Sequence, residues 1–279
     1  KEEIKKRGFK NYVSGLGGDQ LNAGEYDYFH YFFADLMKKR KYSKLKYEIK
    51  SWIKNHDHPI FKKNLNKEIN YIKDQIKNKF NFFEEEKVLK YFEYSLKNIS
   101  FKSLNKFKSG SYLINKTLNE INFEMLPVCL VSDFNNSRIN KIKNIYPYLD
   151  YNHFNTMLSA SNSLKIDNGI QKTLFRDSLR NITPKYNLSK IRKTGWNAPS
   201  HLWLSNKYTS LLNDIFSSQN FKECGLYDAK KIRNLYEKHN RIISNKQQKE
   251  NHMMFFWQLA SINIWTNSVK KKVELTKNE

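Results

Sequence analysis

The chain has 279 residues, of which 39% are hydrophobic and 15% aromatic, so it can form one large domain or two small ones with a packed core. No apolar run reaches about 18 residues, so we expect no transmembrane helix. The charged start KEEIKKRGFK lacks the apolar segment of a signal peptide. The two cysteines, Cys129 and Cys224, have neither disulfide-framework nor metal-site spacing, so we expect a cytoplasmic protein.

The net charge of +23 invites a nucleic-acid-binding interpretation, but the composition weakens it. Only eight of the 50 basic residues are arginine, whereas bidentate hydrogen bonding to phosphates and bases favours arginine. The lysines are spread along the whole chain together with many Asn and Ile, which is typical of AT-rich coding bias. We therefore expect no specific nucleic-acid partner.

The first predicted elements are a helix, a strand and a second helix. Residues 1–7 favour a helix that ends at Gly8, and FKNYVS at 9–14 is typical of a short strand. From Asp19 to about Lys39 the apolar residues recur at helical spacing. Asp19 would lie near the first turn of this helix, where an acid suits the helix dipole.

The rest of the chain is predicted to be mostly helical, and the fold class is therefore mainly α. Apolar faces of helical period, which we interpret as core packing, occur at 66–80, 83–97, 228 to about 244 and 253–265. The last of these is apolar enough for a buried helix.

Two shorter segments in the middle of the chain have distinct patterns. YPYLDY at 146–151 is typical of a strand end or a turn. KTLFRDSLR at 172–180 predicts an amphipathic helix. Leu174, Phe175 and Leu179 would point inward, and Lys172 and Arg176 would lie on another face.

The first candidate site is SGLGGD, between the predicted strand and the predicted helix. A glycine-rich turn at this place exposes backbone N–H groups to an anion, which makes nucleotide-binding candidates of Ser14, Gly15, Leu16, Gly17 and Gly18. Asp19 at its end can hold Mg²⁺ against a phosphate. The pattern is neither the dinucleotide fingerprint nor a P-loop, and a tight turn with positive φ explains the glycines equally well.

The second candidate site is KIRKTGWNAP at 190–199. A rigid, partly apolar turn can present one lysine as a point charge to a phosphate, and Lys193, preceded by Arg192, has that place. On these residues alone, an ordinary basic loop is the alternative. His56 and His58 lack further Cys or His ligands at useful spacing, so we predict no metal site there.

The order of these segments is more specific than any one of them. SGLGGD is followed by LPVCLVSDFNNS at 126–137, then by YPYLD, KTLFR and RKTGWNAP, and then by an apolar helix with Trp257 and Trp265. This series resembles the synthetase domain of the asparagine synthetase family, which has S-G-x-G-G-D-E-L, L-P-x-x-L, P-F-L-D, K-x-x-L-R and R-x-K-x-G-F-x-x-P in the same order. The resemblance runs from about residue 9 to about residue 268.

The resemblance implies an α/β synthetase domain of the adenine-nucleotide-hydrolase type and an ATP-dependent, AMP-forming amidotransferase. Such enzymes use ATP to convert a carboxylate into an acyl-adenylate and release pyrophosphate. Ammonia then displaces AMP and leaves an amide. The acceptor would be aspartate or another carboxylate, and the ammonia would come from glutamine through an N-terminal glutaminase domain or a separate chain.

The resemblance also implies roles for single residues. Ser14 and Gly15 would lie against the nucleotide, and Asp19 would share a Mg²⁺ with the pyrophosphate. Lys193 would stabilise the charge that develops on the phosphates, so that Asp19 and Lys193 are the catalytic candidates. Residues of the matching motifs that could support them are Lys172, Arg176, Arg192 and Asp150.

Several positions depart from the family pattern. Leu16 stands where members that make asparagine often have glutamate, which indicates an acceptor other than aspartate. Gln20 replaces the usual glutamate after the aspartate, and Tyr148 and Trp196 replace phenylalanines.

The family's S-G-G-x-D-S pyrophosphate loop and its glutaminase domain are not found in this sequence. We therefore expect a partial, N-terminally truncated synthetase domain over 1–279. Residues 1–20 would be a remnant of the nucleotide-binding core with one residual strand, and residues 21–279 a helical subdomain. Such a chain alone is expected to be inactive. The alternative is a catalytically inactive, basic helical module that binds nucleic acid or a protein partner.

Overall fold

The computed structural model describes residues 1–57, 64–78, 107–192, 209–245 and 253–277. Contacts divide the chain into two compact units, Lys1–Phe80 with Lys102–Thr194, and Asn81–Phe101 with Gly195–Glu279. The described residues are mainly helical, as expected. This division does not test the assignment of residues 1–20 to a nucleotide-binding core, which stays a prediction. The helix predicted at 83–97 lies outside the described residues.

The first unit contains most of the described elements. Its helices are α1 (Glu2–Lys6), α2 (Gly18–Leu21), α3 (Tyr28–Lys38), α4 (Tyr42–Asn55), α5 (Leu65–Lys77), α6 (Tyr112–Asn122), α7 (Met125–Asn140), α8 (Tyr151–Ser159), α9 (Asn162–Lys165), α10 (Thr173–Ser178) and α11 (Lys185–Ser189). Its strands are β1 (Asn11–Val13), β2 (Lys143–Ile145), β3 (Ile166–Asp167) and β4 (Ile170–Gln171).

The centre of the first unit is α3, whose sequence YFHYFFADLMK has apolar residues around the whole helix. Every residue from Tyr28 to Leu36 is buried, and α4, α5 and α6 pack around the helix. A helix that is apolar on every side is stable only when neighbours cover all of its faces. Trp52 of α4 contacts three of its rings, with centroid distances of 5.5 Å to Phe29, 5.4 Å to Phe33 and 5.7 Å to His30.

Asp35 is a buried acid in α3 whose carboxylate is held by the first turn of α6. It accepts hydrogen bonds from the backbone N–H of Tyr112 at 2.7 Å and of Leu113 at 3.3 Å, and from the Ser111 hydroxyl at 2.5 Å. The side-chain amide of Asn162 donates a further bond at 2.8 Å. A buried carboxylate is tolerated only with such donors, so Asp35 fixes α3 against α6 and α9.

A two-stranded parallel sheet is formed by β1 and β2, with Tyr12 opposite Asn144. The strand predicted at 9–14 is confirmed, but the expectation of one residual strand is wrong, because β2 pairs with it and β3 and β4 form a second sheet. The segment KNI of β2 is too short and too polar to show a strand period. Only its distant partner makes it a strand.

The second sheet is the hairpin β3–β4, whose turn is formed by Asn168 and Gly169 at φ +54° and +65°. Asn-Gly with positive φ at both positions is the common two-residue hairpin turn. Glu48 of α4 accepts hydrogen bonds from the backbone N–H of Asn168 at 3.1 Å and of Gly169 at 2.8 Å. The buried Glu48 carboxylate thus holds the hairpin against α4.

The single helix predicted from Asp19 to about Lys39 is wrong, because α2 and α3 are separate. Between them, Ala23 has φ +53°, which an α-helix cannot contain. The helix end at Gly8 is confirmed, with φ +80° at that glycine. The turn predicted at 146–151 is also confirmed, since a short 3₁₀ helix covers Pro147–Leu149 directly after β2.

The predicted helix at 172–180 exists as α10, but it is shorter and lies near the surface. Leu174, Phe175 and Leu179 are half-buried rather than part of the core. The helix predicted at 66–80 is confirmed as α5.

The second unit contains α12 (Thr209–Ser217), α13 (Gln219–Glu223), α14 (Ala229–Ser244) and α15 (Met253–Lys277) among its described residues. Its core is an aromatic cluster in which ring centroids lie 5.1–5.6 Å apart, formed by Phe216, Phe221, Tyr236 and Phe256. The helices predicted at 228–244 and 253–265 are confirmed. The expectation that the latter is buried is wrong in part, since Trp257 and Trp265 are 51% and 66% exposed.

No helix within the described ranges is both long enough and apolar enough to cross a membrane.

Gly169→Ala should destabilise the first unit strongly. A Cβ there would lie 2.4 Å from the backbone nitrogen of Trp52, and the residue has positive φ, so strain and overpacking add to a loss of about 3 kcal/mol. The matched control is Gly8→Ala, which has positive φ but no atom within 4 Å of the new Cβ, and should lose only about 1 kcal/mol. Urea unfolding measures both, and equal losses would show that the contact with α4 is unimportant.

Candidate functional site

The SGLGGD loop continues directly from β1. The backbone N–H of Ser14 donates to the carbonyl of Ile145 at 2.9 Å, so this buried serine is still tied to the sheet. The Ser14 hydroxyl accepts a bond from the Leu16 N–H at 3.4 Å. The loop then turns at Gly17, with φ +88°, and α2 begins with Asp19 in its first turn, as predicted.

Two glycines of the loop are packed against the PYLD segment. A Cβ on Gly17 would lie 2.4 Å from Cδ2 of Leu149, and one on Gly18 would lie 3.1 Å from Cδ2 of Tyr148. Gly17 is therefore required both by its positive φ and by its contact with Leu149, which supports the tight-turn explanation for this glycine. Gly15 differs, because nothing lies within 4 Å of its Cβ position.

The KTLFR segment reaches the same loop through an ion pair between Lys172 Nζ and Asp19 Oδ1. The two side chains are 32% and 34% exposed, so they lie at the rim of the site rather than in the core. Lys172 has φ +59°, a conformation that is uncommon for a residue with a side chain. Its neighbour Gln171 is buried and donates to the carbonyl of Glu25.

Gly24 makes room for this ion pair. A Cβ at this position would lie 2.5 Å from Asp19 Oδ1 and 2.5 Å from Lys172 Cε. Gly24 was not among the site residues predicted from the sequence. Its signal was present, since it is a further glycine of the same segment, VSGLGGDQLNAG.

Tyr148 lies beside the carboxylate of Asp19. Burial raises the pKa of Tyr148, and the negative charge of Asp19 raises it further, so its hydroxyl stays protonated at neutral pH. The ring also contacts Phe175 of α10, with a centroid distance of 5.6 Å. SGLGGD, PYLD and KTLFR, which are far apart in the sequence, are thus brought together in one place.

Arg176 donates its hydrogen bonds to backbone carbonyls. It bonds to Gln171 at 3.0 Å, to Leu188 at 3.1 Å and to Lys190 at 2.9 Å. Burial lowers the pKa of Arg176. These contacts tie α10 to the segment that leads into RKTGWNAP, so Arg176 holds that segment in place.

The remaining predicted residues have other contacts or lie outside the described residues. Asp150 caps α8, accepting from the backbone N–H of Asn152 at 3.0 Å and of His153 at 3.3 Å. Arg192 donates from Nε to the carbonyl of Asn55 at 3.2 Å. Lys193 lies outside the described residues.

A cavity of about 400 Å³ adjoins the start of the loop. Ser14 and Leu16 form one side, and α7 forms the other with Cys129, Ser132 and Asp133. The contribution of the segment LPVCLVSDFNNS to a cavity was not predicted from the sequence, in which only the order of this segment among the motifs was informative. The cavity is open to solvent and has room for a small molecule next to the glycine-rich loop.

No group of three or more His, Cys, Asp or Glu side chains that could hold a metal ion occurs in the part of the chain that the structure describes. His56 is buried, and its Nε2 lies 2.8 Å from the carbonyl oxygen of Gly169. His58 lies outside the described residues.

Arg176→Lys should loosen the segment at 185–190. Lysine cannot bond to three separate carbonyls from a planar group, so the tether from α10 is lost. We expect amide hydrogen exchange there to become at least about tenfold faster. Arg180→Lys is the matched control, because Arg180 is exposed and pairs only locally with Asp177. Equal exchange in the two variants would contradict the role given to Arg176.

Comparison with known proteins agrees with this arrangement of motifs. The chain matches the family model described as asparagine synthase over residues 1–267. No curated protein and no solved structure matches it. Because the matched region covers nearly the whole sequence, this chain belongs to the asparagine synthase family.

Proposed function

We propose that the chain carries the ATP-dependent, AMP-forming synthetase activity of an amide-forming ligase. A carboxylate would attack the α-phosphorus of ATP and release pyrophosphate, and ammonia would then displace AMP from the acyl-adenylate. The observation that carries the proposal is the Asp19–Lys172 ion pair, which lies against Gly24 and directly follows the glycine-rich loop. It places one acid, one cation and small backbone units together, as polyphosphate binding requires.

Asp19 is the residue we assign to Mg²⁺. Mg²⁺ prefers oxygen ligands and is usually bound by one or two carboxylates together with phosphate oxygens and water. The accessible carboxylate of Asp19 fits this kind of Mg²⁺ binding. The described residues contain no group of three or more His, Cys, Asp or Glu side chains that could hold a metal ion through protein ligands alone. When bound, Mg²⁺ would reduce the negative charge of the pyrophosphate leaving group.

Lys172 and the loop backbone would bind the nucleotide around this acid. Lys172 already reaches Asp19, so its ammonium group can also reach a phosphate held there. Ser14 and Gly15 would lie against the nucleotide, and the open space at Gly15 leaves its backbone approachable. The protonated hydroxyl of Tyr148 would supply one further donor beside Asp19.

The acceptor is proposed to be a carboxylate other than aspartate. Leu16 lines the cavity beside the loop and presents an apolar side chain there, where it can neither balance an amino-group charge nor act as an acid or base. Glutamine would supply the ammonia, through a glutaminase domain or a separate chain. Nothing in the described residues favours the alternative of an inactive module that binds nucleic acid or protein.

Asp19→Asn should lower ATP–pyrophosphate exchange by about 100-fold or more in the intact enzyme, because the amide binds Mg²⁺ poorly while the fold keeps its shape. Asp177→Asn is the matched control, since Asp177 is an exposed acid in a surface pair with Arg180. Exchange at the wild-type rate in the Asp19→Asn enzyme would refute the assignment.

Lys193→Ala should lower kcat by about 100-fold and change the KM for ATP by less than about threefold. The reason is that Lys193, in its proposed role, stabilises negative charge on the phosphates that increases in the transition state. Steady-state kinetics separate the two parameters. A change confined to KM would assign Lys193 to binding alone.

A further inference from the structure

The ion pair between Asp19 and Lys172 joins two groups that the proposed function gives to different ligands. Asp19 would hold the metal, and Lys172 would hold a phosphate. We propose that Lys172 is a built-in counter-ion of Asp19, and that Mg²⁺ and the polyphosphate bind as a unit by splitting this pair. The inference rests on the proposed function and adds to it the coupling between its two ligands.

The structure holds the pair together from both sides. Gly24 has no side chain, and any Cβ there would overlap both Asp19 Oδ1 and Lys172 Cε. Gln171 bonds to the carbonyl of Glu25, which fixes the residue before Lys172 to the residue after Gly24. Lys172 itself has the uncommon φ of +59°. A chance surface contact needs none of these features, so the pairing is specified by the local backbone.

The charges around the pair make each ligand alone unfavourable. A divalent ion bound to the Asp19 carboxylate would lie next to the ammonium group of Lys172, and the two positive charges would repel each other. A metal ion alone would have to displace Lys172 and leave its ammonium group beside a divalent cation. Pyrophosphate alone would have to take Lys172 and leave its own charge beside the Asp19 carboxylate.

Both costs disappear when the two ligands arrive together. Asp19 exchanges its lysine for Mg²⁺, and Lys172 exchanges its carboxylate for a phosphate oxygen, so each charge keeps a partner of opposite sign. By thermodynamic linkage, each ligand then raises the affinity for the other. The site would accept Mg²⁺-bound polyphosphate in preference to either component.

The first experiment measures Mn²⁺ binding alone, by electron paramagnetic resonance of the free ion, without nucleotide. Lys172→Met should bind Mn²⁺ about fivefold more tightly than the wild type, because the competing ammonium group is gone and the site is only partly screened by solvent. The gain should vanish in the double variant Asp19→Asn with Lys172→Met. Lys185→Met, which removes an exposed lysine of α11, is the charge-matched control and should show no gain.

The second experiment measures pyrophosphate binding by calorimetry in the presence of a chelator, so that no metal is present. Asp19→Asn should bind it about fivefold more tightly than the wild type, because Lys172 is released. The same double variant should lose this gain, since it has no Lys172 to release. Circular dichroism checks that each variant is folded, and Lys172→Gln serves in place of a methionine variant that does not fold.

The outcomes separate this inference from the proposed function, since neither experiment uses catalysis. If Lys172→Met binds Mn²⁺ no more tightly than Lys185→Met, or if its gain persists without Asp19, the counter-ion role is overturned. ATP–pyrophosphate exchange, measured separately, tests the ligase activity. Absent exchange with both gains intact would reject that activity and leave the coupled site standing.

Discussion

The burial of α3 is the constraint on which the first unit depends. This helix is aromatic on nearly every side, and it must be covered by α4, α5 and α6 before the chain can be stable. Helix α3 also follows the glycine-rich loop and α2 after a short turn. The packing of α3 therefore fixes the position of α2 and of Asp19 in the first turn of α2. The position of the candidate site is therefore a consequence of core packing.

Two buried carboxylates attach neighbouring elements to the helices of the core. Asp35 binds the first turn of α6, and Glu48 binds the turn of the β3–β4 hairpin. The hairpin leads directly into Gln171 and Lys172, so α4 determines where Lys172 can reach. Asp35 and Glu48 thus fix α6 and the hairpin, respectively, against the core. The backbone N–H groups that they accept from need a fixed acceptor, because an unpaired buried N–H group is costly.

Sequence reasoning succeeded where the signal is local. Helical periods predicted α5 and α14, and the Gly8 helix end, the strand at β1 and the turn after β2 followed from short patterns. The order of motifs also led to the correct family. Prediction from the sequence failed where a residue far away in the chain determines the local structure, as for β2, which is a strand only because it pairs with β1. The Asn168–Gly169 turn was a local signal that was overlooked.

The site residues divide in the same way. Asp19 could be selected because an acid directly after two glycines at a helix start is a local pattern. Its partner could not be chosen among Lys172, Arg176 and Arg192, since all three are basic residues in plausible motifs. The structure pairs Lys172 with Asp19 and commits Arg176 to carbonyls, because their reach depends on the hairpin and α10.

Residue types and their spacing along the chain were enough to predict the helical class, the family and the position of the glycine-rich loop. The contacts of PYLD and KTLFR with this loop, and the need for a residue without a side chain at position 24, became visible only in the folded structure. It alone showed that α7 lines a cavity beside Ser14. The physical reason is that close packing sets these contacts, and packing depends on how elements from distant parts of the chain fill the space around α3.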